Sequence, residues 1–253
     1  MATIHSSLRF ALVTVAALAL VVLTAALGRW QLARASYKID LQARIEALAA
    51  QAPLQTADLL RARGQPDAAD ALLHRRAELH GRWLGQDTVF LDNRQMQGRP
   101  GFYVITPLRL GDGAVVLVQR GWVPRNFLER TRLPDIPSPQ GDVLVHARLE
   151  GPPARLFEFQ TSAEADGASR ILQNLDLAAY GVRTGLALLP VTALQTDASA
   201  DGLQRDWPAP DSGVAKHYGY AFQWFGLCAL VAMLYVWFQI VRRFIRPRRT
   251  DGA

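Results

Sequence analysis

The chain has 253 residues, half of them hydrophobic, with a single cysteine and a formal net charge of +6 at pH 7. One cysteine excludes an internal disulfide framework and a cysteine-based zinc site. The densest block of basic residues is the C-terminal tail, whereas a nucleic-acid-binding domain carries such residues along a folded surface, so we expect no nucleic acid partner.

The first apolar segment, residues 10–28, is predicted to be a transmembrane helix after a short N-terminal segment, residues 1–9. From Phe10 to Leu27 no side chain is charged, which is long enough to cross a hydrocarbon core of about 30 Å. A cleaved secretory signal is the alternative, because Arg9 is basic and Thr24 opens a run of small residues. The apolar stretch exceeds the usual signal core of about 7–15 residues, so we expect an uncleaved span.

Residues 29–216 are predicted to form one extracytoplasmic domain, helical over 29–79 and β-rich over 80–195. Breaks are expected at Pro53 and at Gly64–Asp67, with a helix over Ala68–Leu79. Runs of β-branched and apolar residues predict the strands Thr88–Asp92, Phe102–Leu108, Ala114–Gln119, Val143–Leu149 and Leu186–Leu194.

Three shorter segments complete the prediction for this domain. Gly111–Gly113 predicts a hairpin turn, Thr161–Ser169 a mobile loop, and Leu172–Gly181 one short helix. Helices followed by strands at hairpin spacing favour an α+β domain built on a mainly antiparallel sheet or open barrel. The expected fold class is a membrane protein whose two transmembrane helices flank this domain.

The domain carries no recognisable catalytic motif, so we expect no enzymatic activity. Its histidines, His74, His80 and His146, have no paired ligand spacing, and no phosphate-binding loop follows a strand. The segment Gln119–Pro124 ends a predicted strand in a compact turn. Either it is structural, with Trp122 packed and Arg120 paired, or it forms a partner-binding surface.

The second predicted span, residues 217–241, combines an uncharged run with a histidine at its edge. Tyr218–Val241 is uncharged, and at 1.5 Å per residue it is about 36 Å long. His217 and Trp224 share one helix face, Trp224 lying about 10 Å deeper, and Tyr220 and Ala221 lie on or near it. An imidazole can ligate haem iron; alternatively, the aromatic residues are interfacial anchors and His217 lies among head groups.

The charges that flank the spans predict the orientation. Residues 242–253 form a basic tail that favours the cytoplasmic side, with Arg242, Arg243, Arg246, Arg248 and Arg249. Around the first span the basic residues are denser on its C-terminal side, which points the other way. Because long loops are largely exempt from the positive-inside bias, we follow the tail and expect both termini in the cytoplasm.

Three segments together resemble the Surf1/Shy1 family of assembly factors for haem–copper cytochrome c oxidase. They are Leu27–Arg34, the stretch from Gly81–Trp83 through Gly98–Leu108 to Val118–Pro124, and Lys216–Phe225. The resemblance covers nearly the whole chain, although Tyr37 replaces a frequent tryptophan and residues 155–185 carry little of the family pattern.

The resemblance implies a two-span protein of the bacterial inner membrane without known catalysis. It implies that haem a binds, with His217 as the axial iron ligand and Trp224 as the matching tryptophan; haem o, or no haem, are the alternatives. Because Tyr220 and Ala221 lie on or near the same helix face, they are added as candidate haem-binding residues. Implied partners are oxidase subunit I and other assembly factors, with haem a synthase as a further candidate. Arg120, Trp122 and Trp30 are the candidate partner contacts of an interaction protein that binds no haem.

Overall fold

The computed structural model describes residues 2–63, 66–126, 128–129, 132–157, 169–198, 200–207 and 213–242. The chain divides into a helical unit, Met1–Ala43 with Pro210–Ala253, and a β-rich unit, Arg44–Ala209. Two long apolar helices therefore flank, in sequence, a sheet-rich domain, as the sequence predicted.

The first helix, α1, runs without a break over Ala2–Ala50. Its 49 residues correspond to about 74 Å at 1.5 Å per residue, so the helix continues well beyond the apolar segment. This confirms that Gly28 does not end it. The stretch Leu8–Ala50 is long and apolar enough to cross a membrane, and its apolar window is almost entirely unburied. Whether this segment is retained or cleaved as a signal stays a prediction.

The second long helix, α5, spans Val214–Tyr235 and continues as a π-helix over Val236–Val241. Gly213 precedes it with a φ of 56°, a left-handed conformation that glycine adopts without a Cβ clash. Together these segments are long and apolar enough to cross a membrane. The helix begins before the predicted boundary at 217, so His217 lies in its first turns. Residues 243–253, which hold most of the basic tail, lie outside the described residues.

Among the described residues of the β-rich unit, three segments form short α-helices. They are α2 (Thr56–Arg61), α3 (Pro66–Leu72) and α4 (Leu177–Thr184). The short helix predicted near 172–181 is thus confirmed as α4. Its start is fixed by Asp176, whose carboxylate accepts a hydrogen bond from the Ala179 N–H, and its end by Gly185, with a φ of 68°.

The expected helix over Ala68–Leu79 is wrong in its second half, because α3 ends at Leu72 and a strand begins at Arg76. Ala77 and Leu79 are buried while Arg76 and His80 are exposed, which is the alternation of a strand with one buried face. Pairing with another strand decided the conformation here, and sequence reasoning from helix-forming residue types missed it.

In the part of the chain that the structure describes, eight strands form one sheet. They are β1 (Leu54–Gln55), β2 (Arg76–Trp83), β3 (Val89–Met96), β4 (Arg99–Leu110), β5 (Val115–Pro124), β6 (Val143–Glu150), β7 (Ile171–Leu172) and β8 (Leu188–Gln195). All five predicted strands are present. The loop predicted over Thr161–Ser169 lies almost wholly outside the described residues.

Five of these strands close into a ring, because β2 pairs with both β6 and β4. The ring runs β2–β6–β8–β5–β4 and back to β2, and only the β5–β8 pairing in it is parallel. The predicted mainly antiparallel sheet or open barrel is therefore a small closed barrel. At the β2–β4 contact a Cβ on Gly81 would lie 2.5 Å from the Arg109 carbonyl oxygen, so the two backbones can approach only at a glycine.

Alternate residues of the barrel strands form the main core. This cluster includes Leu79, Leu108, Val116, Val118, Val145, Leu149 and Val191, together with Leu59 of α2. A second cluster packs α4, through Tyr180, against Leu91 and Leu117. A third contains the edge-to-face ring pair Phe90 and Phe102. β5 is buried on both faces from Val115 to Trp122.

Candidate functional site

The two long helices of the helical unit contact each other in antiparallel orientation. Thr14 Oγ1 lies 3.0 Å from the Tyr235 hydroxyl oxygen. The Cys228 thiol lies 3.6 Å from the Val21 carbonyl oxygen. The earlier residue of α1, Thr14, meets the later residue of α5, Tyr235, so the two helices run in opposite directions.

We call the contact between these helices the seam. On α1 we assign to it a series of buried or partly buried positions, beside which Ala25 and Leu27 are also partly buried: Phe10, Thr14, Ala17, Val21, Thr24, Gly28, Gln31, Ala35 and Lys38. On α5 they are Val214, His217, Ala221, Trp224, Cys228, Val231 and Tyr235. Both sets alternate spacings of three and four residues, the seven-residue period of helices that pack along their length.

Small residues allow the helices to approach closely at the centre of the seam. Thr24, Ala35 and Ala221 are at most 5% exposed, and Gly28 is also buried. A Cβ on Gly28 would lie 2.8 Å from the ring of Phe225. Interfaces of this kind, rich in glycine, alanine and threonine, are typical of helices that pack within membranes.

His217 is at the end of the seam nearest the start of α5, and it is partly exposed. Its Nδ1 lies 2.7 Å from Oε1 of Gln31 on α1. Arg34 and Lys38, one and two turns further along α1, are close enough to act on the imidazole electrostatically. In the described part of the chain, no hydrogen bond involves Nε2 of His217. This nitrogen of a neutral imidazole is therefore available to bind a metal ion.

The residues predicted to surround a macrocycle differ in whether they lie within the seam or outside it. Trp224 shares the stripe of His217, as expected from the seven-residue spacing, and is partly buried there. Ala221 is 2% exposed and packs within the seam, so it does not line an open space. Tyr220 lies off the seam and is 53% exposed. Of the four predicted residues, Tyr220 is the exposed one, whereas His217 and Trp224 are partly buried.

Trp30, predicted to contact a partner, lies on α1 one residue before Gln31 and is 58% exposed. Its position is compatible with contact to lipid or to another protein. The predicted partner contact at Trp30 stays a prediction.

Arg120 of β5 is buried, which corrects the expectation of a partner-binding surface at this side chain. Its guanidinium donates hydrogen bonds to Ser138 Oγ at 3.0 Å, to the Pro137 carbonyl oxygen at 2.8 Å and to Asp201 Oδ2 at 3.1 Å. It also stacks on the Trp83 ring, 4.7 Å from the ring centre. The side chain holds two loops together, and this agrees with the structural interpretation.

A second arginine completes this buried network. Arg205 donates to Asp201 Oδ2 at 2.6 Å, so one carboxylate accepts from two guanidinium groups. Burial raises the pKa of Asp201, but hydrogen bonds from Arg205 and the Leu203 N–H, with the charges of Arg205 and Arg120, lower it more, and the resulting pKa lies below its ordinary value.

Trp122 is also fully buried, so it cannot form the surface contact that was expected of it. Its indole N–H donates to the Arg94 carbonyl oxygen at 2.8 Å, and its backbone pairs with Gln204 in both directions. A Cβ on Gly101 would lie 2.5 Å from the indole ring. The glycine, tryptophan and arginine of this region are packed together for structural reasons.

The described residues contain no group of three or more histidine, cysteine or acidic side chains that could hold a metal ion. In the domain, His74 Nδ1 lies 3.2 Å from Glu150 Oε2, while His80 and His146 are exposed. A haem iron that takes one protein nitrogen does not need such a cluster.

Sequence reasoning missed two residues that matter at these sites, Gln31 and Asp201. Gln31 is an uncharged polar residue at the end of an apolar helix, in register with its small seam residues, and this pattern could have singled it out. No sequence pattern connects Asp201 with Arg120, because the two are 81 residues apart and meet only in the folded domain.

Comparison with known proteins places these observations in a family. The SURF1 family matches residues 18–229. The Saccharomyces cerevisiae protein "Cytochrome oxidase assembly protein SHY1" is 28% identical over 154 residues, covering 60% of this chain and 38% of that protein. "Surfeit locus protein 1" of Rattus norvegicus is 28% identical over 251 residues, covering 90% of this chain and 73% of that protein.

A bacterial protein is also similar to this chain over most of its length. A "SURF1-like protein" of Rickettsia bellii is 23% identical over 187 residues, covering 71% of this chain and 73% of that protein. The chain thus matches well under half of the yeast protein's length but nearly three quarters of the rat and Rickettsia proteins. Because the family match includes the whole β-rich unit and most of both long helices, the chain belongs to the SURF1 family.

Proposed function

We propose that this chain is a membrane-anchored assembly factor for a haem–copper cytochrome c oxidase. The family match over residues 18–229 supports this most strongly, because it includes most of both long helices and the whole domain between them. The yeast relative carries a role in cytochrome oxidase assembly in its name. Two apolar helices and the bacterial relatives favour a bacterial inner membrane, with both termini in the cytoplasm as the C-terminal arginines indicate.

Haem a is the proposed ligand, with His217 as an axial ligand of its iron. The imidazole is at the edge of a membrane-length helix, where an apolar macrocycle and its polar groups can each meet a suitable environment. Nδ1 is hydrogen-bonded to Gln31, and Nε2 has no protein partner among the described residues. Haem would supply an iron that the lone pair of this nitrogen can coordinate.

The seam restricts where the rest of the macrocycle could lie. Ala221 is packed against the first helix, so the ring would lie against the exposed side of α5, where Tyr220 offers an aromatic surface. Trp224, partly buried on the stripe of His217, would support the helix pair behind that side. The proposed partners are oxidase subunit I, which would receive the haem, other assembly factors, and haem a synthase as the source.

The second candidate function is an interaction protein that stabilises an oxidase assembly intermediate and binds no haem. The burial of Ala221 favours it, because part of the proposed haem face is used to hold the helices together. In this case His217 stabilises the contact between the two long helices through its hydrogen bond to Gln31. Exposed residues such as Trp30, and not the buried Arg120 and Trp122, would contact the partner.

The visible spectrum of the protein purified from cells that make haem a separates the two functions. Haem binding predicts a Soret band that is lost or shifted in His217→Ala. His146→Ala, an exposed histidine on β6, is the matched control and should keep the wild-type spectrum. A colourless protein that still copurifies with subunit I supports the interaction protein. Unchanged haem content in His217→Ala would remove the ligand assignment.

The proposed orientation is tested by labelling single cysteines in intact cells. In a Cys228→Ser background, Glu129→Cys reports on an exposed site of the domain and Ala253→Cys on the tail. A membrane-impermeant maleimide should label position 129 before lysis and position 253 only after lysis. The opposite result would place the domain in the cytoplasm and contradict the proposed orientation.

A further inference from the structure

We infer that Gln31 is a positioning residue for His217: its side-chain oxygen holds the Nδ1 proton and so directs the unprotonated Nε2 outward as the metal-binding atom. The inference deepens the proposed function and rests on it, since it states how the chain prepares the proposed iron ligand. It concerns a residue of the first helix that acts on one of the second helix.

The contact between these residues is short and is set by the packing of the helices. Nδ1 of His217 lies 2.7 Å from Oε1 of Gln31, within the range of a good hydrogen bond. Both residues occupy seam positions and are partly buried. Gly28 and Ala35, which flank Gln31 on α1, are both buried in the seam, and the Phe225 ring packs on Gly28, so Gln31 lies between two small residues on the face that meets the second helix.

The chemistry of the surrounding groups makes Gln31 the acceptor for this proton. Among the described residues, the charged groups close enough to act on His217 are Lys38 and Arg34. Guanidinium and ammonium groups donate hydrogen bonds and accept none, so neither can receive the Nδ1 proton. The amide oxygen of Gln31 can. Among the described partners of His217, it is therefore the group that selects the Nδ1–H tautomer.

This tautomer leaves the lone pair of the imidazole on Nε2. Neutral imidazole carries one proton, and the nitrogen without it is the one that binds a metal. Residues that hold the second nitrogen of a ligating histidine fix its ring orientation, and removing them typically weakens metal binding by about 10- to 100-fold. Gln31 has the position and the acceptor atom for this role.

The first experiment needs no haem. The protein is labelled with ¹⁵N in its five histidines, in detergent micelles, and His217 is assigned from the signal missing in His217→Asn. We expect the Nδ1–H tautomer to dominate in the wild type and in Gln31→Glu, which keeps an acceptor oxygen. Gln31→Met, similar in size but without an acceptor, should shift His217 toward the Nε2–H tautomer. Gln223→Met, an exposed glutamine on α5, should leave it unchanged.

An Nε2–H tautomer in the wild type would overturn the inference, because Gln31 would then donate its amide N–H to Nδ1. An Nδ1–H tautomer that persists in Gln31→Met would overturn it as well. Helix content by circular dichroism shows that each variant is folded, so that a shift in tautomer is not read from an unfolded protein.

The second experiment titrates the same variants with ferric protoporphyrin IX and follows the Soret band. We expect Gln31→Met to bind about 10- to 100-fold more weakly, and Gln31→Glu to bind more nearly as the wild type does. If the tautomer follows Gln31 but His217→Ala binds the porphyrin as well as the wild type, the proposed haem function fails while the positioning of His217 stands. If binding depends on His217 but not on Gln31, the inference fails and the haem function stands.

Discussion

The helix pair and the barrel domain are held together by different kinds of side chain. In the domain the largest fully buried side chains include Trp122, Arg120, Phe90 and Phe102. In the helix pair the most buried residues are small: Thr24, Gly28, Ala35 and Ala221. The difference follows from the solvent. In water, burying apolar area stabilises the fold by about 25 cal/mol per Å². In a bilayer the lipid tails are as apolar as a leucine side chain, so burying apolar area gains little, and close packing of the helices stabilises their association instead.

The two regions also differ in the kind of polar group that they bury. The domain buries a charged network of Arg120, Asp201 and Arg205, whose members are at most 9% exposed. The helix pair uses neutral bonds, from Thr14 to Tyr235 and from Gln31 to His217. Charged groups are costly within a bilayer, so neutral side chains link the helices there. Four experiments test this comparison, beginning with the largest expected effect.

Replacing Trp122 by alanine should cost the domain the most. The substitution removes the indole ring that packs on Gly101 and leaves the Arg94 carbonyl oxygen without its indole donor. We expect a loss of about 3–5 kcal/mol in the free energy of unfolding, measured by denaturant unfolding of the full chain in micelles. Trp237→Ala, at a tryptophan 58% exposed on the second helix, is the control and should change the domain transition little.

Removing the carboxylate in Asp201→Asn should cost about 3 kcal/mol, because it leaves two buried guanidinium groups without their counter-charge. The effect should depend on pH. The folded pKa of Asp201 is lowered, so its contribution to stability is present above its unfolded pKa of about 3.9 and is lost as the pH falls through the folded value. Unfolding curves of the wild type and variant should therefore converge below about pH 4. A constant difference down to pH 2 would show that the charge of Asp201 is not the cause.

Gly28→Leu tests whether small residues hold the helix pair together. The new side chain would collide with the Phe225 ring, and overpacking of this kind costs about 1–3 kcal/mol. The readout is disulfide formation between Cys228 and an introduced Val21→Cys, which face each other across the seam. We expect a lower yield in Gly28→Leu. Gly226→Leu, where a Cβ would meet no atom within 4 Å, should leave the yield unchanged.

The smallest effect is expected for the bond between Thr14 and Tyr235, which are 3.0 Å apart. Interhelical hydrogen bonds in membranes contribute about 0.6 kcal/mol on average, because the separated helices also find partners. A double-mutant cycle with Thr14→Val and Tyr235→Phe should give a coupling energy of this size for unfolding of the helix pair. A coupling energy of several kcal/mol would contradict the view that close packing, and not hydrogen bonding, dominates the seam.

The sequence predicted the elements whose signal is local. The two apolar helices, the helical continuation past Gly28 and the five main strands all follow from hydrophobic length or alternation. Arg76–Trp83 did not, because its residues favour helix while pairing with β6 imposes a strand. Of the candidate site residues, the shared stripe of His217 and Trp224 followed from helix period. Whether Arg120 and Trp122 pack inside the domain or form a partner-binding surface was left open, since burial depends on the strands on either side; both side chains are buried.

The amino-acid sequence by itself determined that this protein has two helices of membrane length around a β-rich domain, because hydrophobic length and periodicity act within one segment. Only the tertiary structure decided that the strands close into a ring through β2 and β4, that Asp201 meets Arg120, and that Gln31 meets His217. Each of these contacts joins residues far apart along the chain. Their distances are set by the packing of whole helices and strands, which no local pattern records.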